Sequence, residues 1–404
     1  MFIFATWRRR VSVSAVLAGL VGSMLLVSCG GGGTGGTGGT GSPAPSTGAN
    51  LAVGPITGFG SIIVNGVRYD DSSASIVDDD DSASSRDDLK LGVVVEVKSG
   101  TISNGSATAL GIAFGSSLVG PVDAGSQNTV DKTLKVLGQT VKVTDTTVFG
   151  EGLTGLDLIA DNDIVNVHGM FDAGTGVTTA TRIELKPNAQ HYRLRGKVSD
   201  LDMTNKTLKI GGQSVSYAEM QDNPVLGNLA NDQVVRARLK TTKQGNFWVA
   251  TRIKSGAPSM DGVKEFEVKG FITAFTTATN FKINDLQVDA SNAVFEDGQA
   301  DLKIGVLVEV EGTMLSGVLV ASKVEVEDRR DERIPRFELH GAISAPDTIA
   351  KTFVLRGQTV NYGGTVQYKN GGEADLKIGA RVEVKGVLSA DKTRIEAKII
   401  EFES

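Results

Sequence analysis

Leu89-Lys-Leu-Gly-Val-Val-Val95-Glu-Val97 returns as Leu302-Lys-Ile-Gly-Val-Leu-Val308-Glu-Val310 and again as Leu376-Lys-Ile-Gly-Ala-Arg-Val382-Glu-Val384. Degenerate forms stand between them, Asp163-Ile-Val165-Asn-Val167 and Asp232-Gln-Val-Val235-Arg-Ala237. Aligning Val95, Val165, Val235, Val308 and Val382 gives spacings of 70, 70, 73 and 74 residues. Upstream of each anchor a glycine sits two residues before a β-branched one: Gly54, Gly120, Gly196, Gly270 and Gly341. Self-similarity at so regular a period marks a duplicated module. The repeats run 51–117, 118–190, 191–260, 261–331 and 332–404.

Within a repeat the apolar residues alternate with period two, the mark of a strand with one buried face. In the fourth copy the strands read Phe266-Glu-Val268, Phe281-Lys-Ile283, Leu286-Gln-Val288, Val306–Glu311 and Val318–Glu325. Gly211-Gly212 and Asn284-Asp285 fall where tight hairpins are expected. Helix is confined to a short turn closed by Leu89, Leu302 and Leu376. Five or six short strands in about 70 residues predict a small closed barrel, because closure removes exposed sheet edges. The expected fold is all-β, a tandem array of about five such barrels, each with its own core. Val382 and Val384 should point inward, since Glu383 between them needs solvent.

The run Gly-Phe-Gly-Ser-Ile-Ile-Val-Asn-Gly-Val (58–67), followed by the Leu-Lys-Leu-Gly and Val-Glu-Val elements, resembles an uncharacterised bacterial envelope family known only as a domain of unknown function. The resemblance implies OB-like β-barrel repeats carried on lipoproteins. It is strongest in copies one, four and five; copies two and three lack the Leu-Lys-x-Gly element. It transfers no catalytic residue.

The amino-terminal residues speak to location. Arg8, Arg9 and Arg10 precede an apolar run, Val11–Val27, and the pattern is that of a secretory signal over residues 1–28. Leu26-Val27-Ser28-Cys29-Gly30 resembles a bacterial lipobox, which implies a lipid on the Cys29 thiol, the only cysteine in the chain. Gly30 in place of Asp favours the outer membrane, facing the periplasm or the cell surface. Residues 29–50, rich in Gly and Thr, read as a flexible tether.

The chemical inventory is thin. One cysteine excludes a disulfide scaffold, and three scattered histidines, His168, His191 and His340, offer neither a metal set nor a triad. They read as solvated strand or linker residues. The aspartate run 70–88 lacks calcium-loop spacing. No catalytic group, metal or cofactor is expected, so the chain reads as a non-enzymatic scaffold or binding array.

Charge carries more information. The chain is formally −6, and −9 without the leader arginines, which argues against nucleic acid. Yet residues 51–117 hold four Lys/Arg against nine Asp/Glu, whereas residues 192–260 hold eleven against five. Strand alternation puts Arg193, Arg195, Lys197, Arg236, Arg238 and Lys240 on the outward face of two strands of the third copy. Such a face either balances charge on neighbouring repeats or holds an acidic partner: an anionic envelope glycan, an envelope protein, or the Asp78–Asp81 loop of another molecule.

Overall fold

The computed structural model describes residues 49–220, 227–256, 263–283, 286–315, 318–326 and 337–403. The leader, Cys29, nearly all of the tether and the Asn284-Asp285 turn lie outside the described residues.

The first repeat closes a ring. Its opening strand, Ala49–Phe59, runs antiparallel to Ile62–Val64, which turns back into Val67–Asp70. That strand lies parallel to the last one, Ser106–Phe114, and Val94–Ser99 pairs antiparallel with both the last strand and the opening strand. The same circuit recurs from the opening strands Leu118–Pro121, Tyr192–Asp202, Val263–Thr277 and Phe337–Ala342. Each repeat is therefore a small closed barrel.

The local causes are visible in the sequence. Asn65-Gly66, Leu137-Gly138, Gly211-Gly212 and Arg356-Gly357 all have both residues at positive φ, between 50° and 86°. That is the hairpin turn whose twist matches the strands, and glycine at its second position avoids a Cβ clash. The closing strands bend at a bulge beside Gly169, Gly312 and Gly386. A Cβ on any of these three would collide with the facing carbonyl. The paired valines at 95, 97, 308, 310, 382 and 384 are 1 % exposed or less, while Glu96, Glu309 and Glu383 between them are half-buried. Burying each valine contributes about 1.5–3 kcal/mol. Leu89, Leu302 and Leu376 plug the barrels, at 5 % exposure or less. Short 3-10 turns, Arg86–Asp88 and Glu373–Asp375, deliver the first and last of them.

The barrels are not beads. One core runs through repeats two and three, and a second through repeats one and five; a third, in repeat four, includes Leu51 of repeat one. The opening strand of repeat one explains this arrangement. Its first half lies parallel to the opening strand of repeat four (Leu51 beside Phe266), and its last residues lie beside that of repeat five (Gly58 beside Glu338). Gly58 permits the second approach, since a Cβ there would strike the Glu338 carbonyl. Repeats one, four and five thus form one continuous sheet system, and repeats two and three another.

This shared core changes what a core mutation does. Val382→Asp buries a charge among residues of both repeats, so repeats one and five should lose protection together. Hydrogen exchange followed residue by residue checks this; loss confined to 337–403 would refute the shared core.

Candidate functional site at the seams of the first repeat

In the third repeat Arg193 lies directly opposite Arg238 and Arg195 opposite Arg236. The next strand adds Arg252 beside Arg238 and Lys254 beside Arg236. Cations at such cross-strand positions repel one another unless anions intervene. The anions come from the same chain, not from another molecule. The Asp78–Asp81 loop of repeat one lies across the wall. Asp79 meets Arg193 at 2.5 Å and Arg236 at 3.3 Å; Asp80 meets Arg193 at 2.8 Å and Arg238 at 3.5 Å. Asp81 takes Arg252 at 2.6 Å and Lys254 at 2.9 Å. A hydrogen bond from Lys254 holds the Asp81 carboxyl below its ordinary value; partial burial opposes it and a second bond from Arg252 adds to it.

The loop is also held by hydrogen bonds of its own. Asp78 turns inward and accepts the Asp80 and Ser82 amides, leaving the next three carboxylates to project. Arg193, Asp79 and Asp80 are only 11–13 % exposed at their side chains. Exposed pairs contribute about 0–1 kcal/mol, but removing one member of a sequestered pair strands the other charge, at a cost of about 3–5 kcal/mol.

The other predicted cations go elsewhere. Arg195 donates to the Gly256 carbonyl and lies over the Phe171 ring. Lys197 reaches Asp232 at 4.0 Å, and Lys240 reaches Glu219 at 2.6 Å. Arg252 and Lys254 were missed, although the same period-two parity places them on this wall.

Each remaining seam of repeat one carries its own buried polar groups. Toward repeat two, Thr181 donates to the Gly92 carbonyl and Arg182 to that of Leu91. Behind them His168 is 3 % exposed, not solvated as its sequence context suggested. Its Nδ1 faces the Gly115 carbonyl at 3.0 Å and therefore carries the proton, while Nε2 accepts from Asn166. Burial, with Arg182 nearby, pushes this histidine down to about 4 despite the opposing charge of Glu184.

Toward repeat five, His340 is 9 % exposed, again contrary to expectation. It lies between Glu338 and Glu403, each 2.9 Å from one ring nitrogen. Burial lowers its affinity for a proton, but the two carboxylates outweigh burial and the net shift is upward. Glu338, His340 and Glu383 have the spacing of a metal set. Arg68 of repeat one already bonds both glutamates, and Lys385 reaches them at 3.3 and 2.9 Å, so that charge is spent on cations of the chain. Toward repeat four, Glu267 is 8 % exposed; burial first, then the charges of Glu309 and Glu311, pushes it up to about 8.

Concavities open at these seams. One of about 380 Å³, where repeats one to four meet, is lined by Phe114, Met170 and Ile283 and edged by Asp79, Arg236 and Glu96. Another, about 320 Å³ between repeats one and five, is ringed by Arg68, Arg356, Arg381 and His340, with Glu403 the carboxylate among them.

The family model described as a domain of unknown function, DUF5666, matches residues 53–113, 119–184, 269–325 and 340–401. The chain belongs to the DUF5666 family. The four DUF5666 matches coincide with barrels one, two, four and five; the third barrel, which holds the basic wall, closes the same ring outside any match. No curated protein matches the chain. Among solved structures, a Drosophila Unr chain (CSD456) is 16 % identical, covering 54 % of this chain and 98 % of its own, with a TM-score of 0.13.

Two measurements follow from the seams. Asp79→Arg and Arg193→Asp should each destabilise the protein, and the double variant should recover about 1–3 kcal/mol of coupling; additive losses would separate the loop from the wall. For Glu267 the folded value, about 8, lies above the ordinary 4.5, so stability is lost as pH rises between them. Glu267→Gln should therefore raise the melting temperature at pH 8 and leave it nearly unchanged at pH 4.

Proposed function

We propose that this DUF5666 protein is a non-enzymatic, lipid-anchored outer-membrane component whose barrels act together as one binding body. The observation that carries the reading is the position of repeat one. It shares strand pairing, ion pairs or hydrogen bonds with each of the other four, so the array presents seams between barrels rather than separate modules. Concave sites at such junctions are where ligands are usually held.

The fates of the titratable groups support a binding role over a catalytic one. His168 is neutral and fixed on both nitrogens, and His340 is clasped by two carboxylates. The carboxylate cluster Asp79–Asp81 is committed to arginine and lysine. Anchoring rests on the sequence around Cys29, with the basic leader before it and the Gly-rich tether after it.

The test is Cys29→Ser. The wild-type chain should incorporate labelled palmitate and sediment with outer membranes. The variant should accumulate as unlabelled precursor. Unchanged labelling, together with a wild-type mature mass, would end the lipoprotein reading.

A further inference from the structure

The arginine-ringed pocket between repeats one and five differs from the basic wall of repeat three in one respect. There the cations meet an acidic loop of the same chain. Here Arg356 donates to two main-chain carbonyls, His340 at 3.2 Å and Gly60 at 3.1 Å. No carboxylate among the described residues lies within ion-pair distance of it. Its guanidinium is held in place with its charge unmatched.

The surroundings add to the positive charge. Among the described residues Arg381 pairs with Glu403, and its side chain is 64 % exposed. Arg68 enters from repeat one and is 36 % exposed. Around the pocket stand Arg68, Arg356, Arg381, Lys385 and a His340 that hydrogen-bonds carboxylates through both nitrogens, against Glu338, Glu383 and Glu403. An oxyanion placed there would find forked donors already oriented, the geometry that makes arginine suited to carboxylate and phosphate.

Arg356 also lines a second, longer hollow. This groove, about 1220 Å³, runs between repeats one, two and five. Its walls set Phe59, half-buried, and Phe149 among Thr154, Gln358, Thr359 and Thr393, and charges of both signs interrupt the apolar lining, Arg86, Lys90 and Arg182 against Asp87, Glu151 and Glu184. Hydroxyl and amide groups beside an aromatic ring suit a sugar chain rather than an acyl chain, which would want a continuous apolar lining.

We propose that the pocket and groove together bind an acidic glycan, one acidic group seated between Arg356, Arg381 and Arg68 and the adjoining sugars lying along the groove past Phe59. This rests on the binding-body reading above and names its ligand class. It also moves the anionic ligand away from repeat three, whose wall is occupied.

Titration calorimetry on the detergent-solubilised full chain tests it, with hexagalacturonate as the acidic probe and maltohexaose as its neutral counterpart. Hexagalacturonate should bind and maltohexaose should not. Arg356→Asn keeps the positive-φ turn, which asparagine tolerates, and removes the charge. It and Arg381→Ala should each weaken binding at least tenfold with unchanged melting temperature, whereas Lys240→Ala on repeat three should bind as wild type. Equal affinity for the neutral chain, or wild-type affinity in both arginine variants, would overturn the proposal. So would inorganic phosphate or free galacturonate binding as tightly as the hexamer, because the groove would then contribute nothing. Palmitate labelling and membrane sedimentation do not involve this pocket, so failure here is distinguishable from failure of the anchored-body reading.

Discussion

Three consecutive aspartates against a wall of arginines join the two halves of this molecule. Repeats one, four and five share one sheet system and repeats two and three another. Asp79, Asp80 and Asp81 reach from the first across to Arg193, Arg236, Arg238, Arg252 and Lys254 of the second. The contact works because both surfaces are prepared separately. The hairpin geometry of repeat three crowds the cations, and the Asp78 carboxylate folds the loop so that its neighbours project. Neither surface is comfortable alone, since like charges a strand spacing apart repel. Together they form a network whose centre, Asp79, Asp80 and Arg193, is largely withdrawn from water.

The other seams show how one barrel can be made to meet four neighbours without losing its own closure. The opening strand of repeat one is long enough to close its barrel and still offer both ends to other repeats. Glycine at 58 lets a second backbone approach where a side chain would block it. Each seam then receives buried polar groups with partners specific to that seam: the neutral His168 with Asn166 and Gly115, the clasped His340 with Arg68 beyond it. Groups of this kind add little net stability, but mismatched docking would strand them unpaired in a low-dielectric interior. They therefore favour one arrangement of five similar barrels over the many that shape alone would allow. Glu267 is the exception, costing stability at neutral pH beside Glu309 and Glu311.

The difference between the two basic regions follows from the same logic. On repeat three, the charge is high and is matched internally. At the seam with repeat five, the excess is smaller, yet Arg356 is fixed by carbonyls and left facing a cavity. Net charge per repeat pointed to the first region; the availability of charge points to the second.

The sequence by itself determined the barrel. Period-two alternation sets Val95, Val308 and Val382 inward, the glycine pair Gly211-Gly212 marks a hairpin, and the valine anchors recurring every 70–74 residues count the copies. These are local signals, since each is decided by residues a few positions apart. The parity argument also placed Arg193, Arg236 and Arg238 on one wall, as it could have placed Arg252 and Lys254. Which repeat meets which was decided only by the tertiary structure. Asp79 and Arg193 are brought together across more than a hundred residues, and nothing in either segment names the other. The burial of His168 and His340 has the same origin: an isolated strand leaves them at its surface, and a neighbouring barrel covers them. Local periodicity fixes which way a side chain points, and docking between repeats decides what it points at.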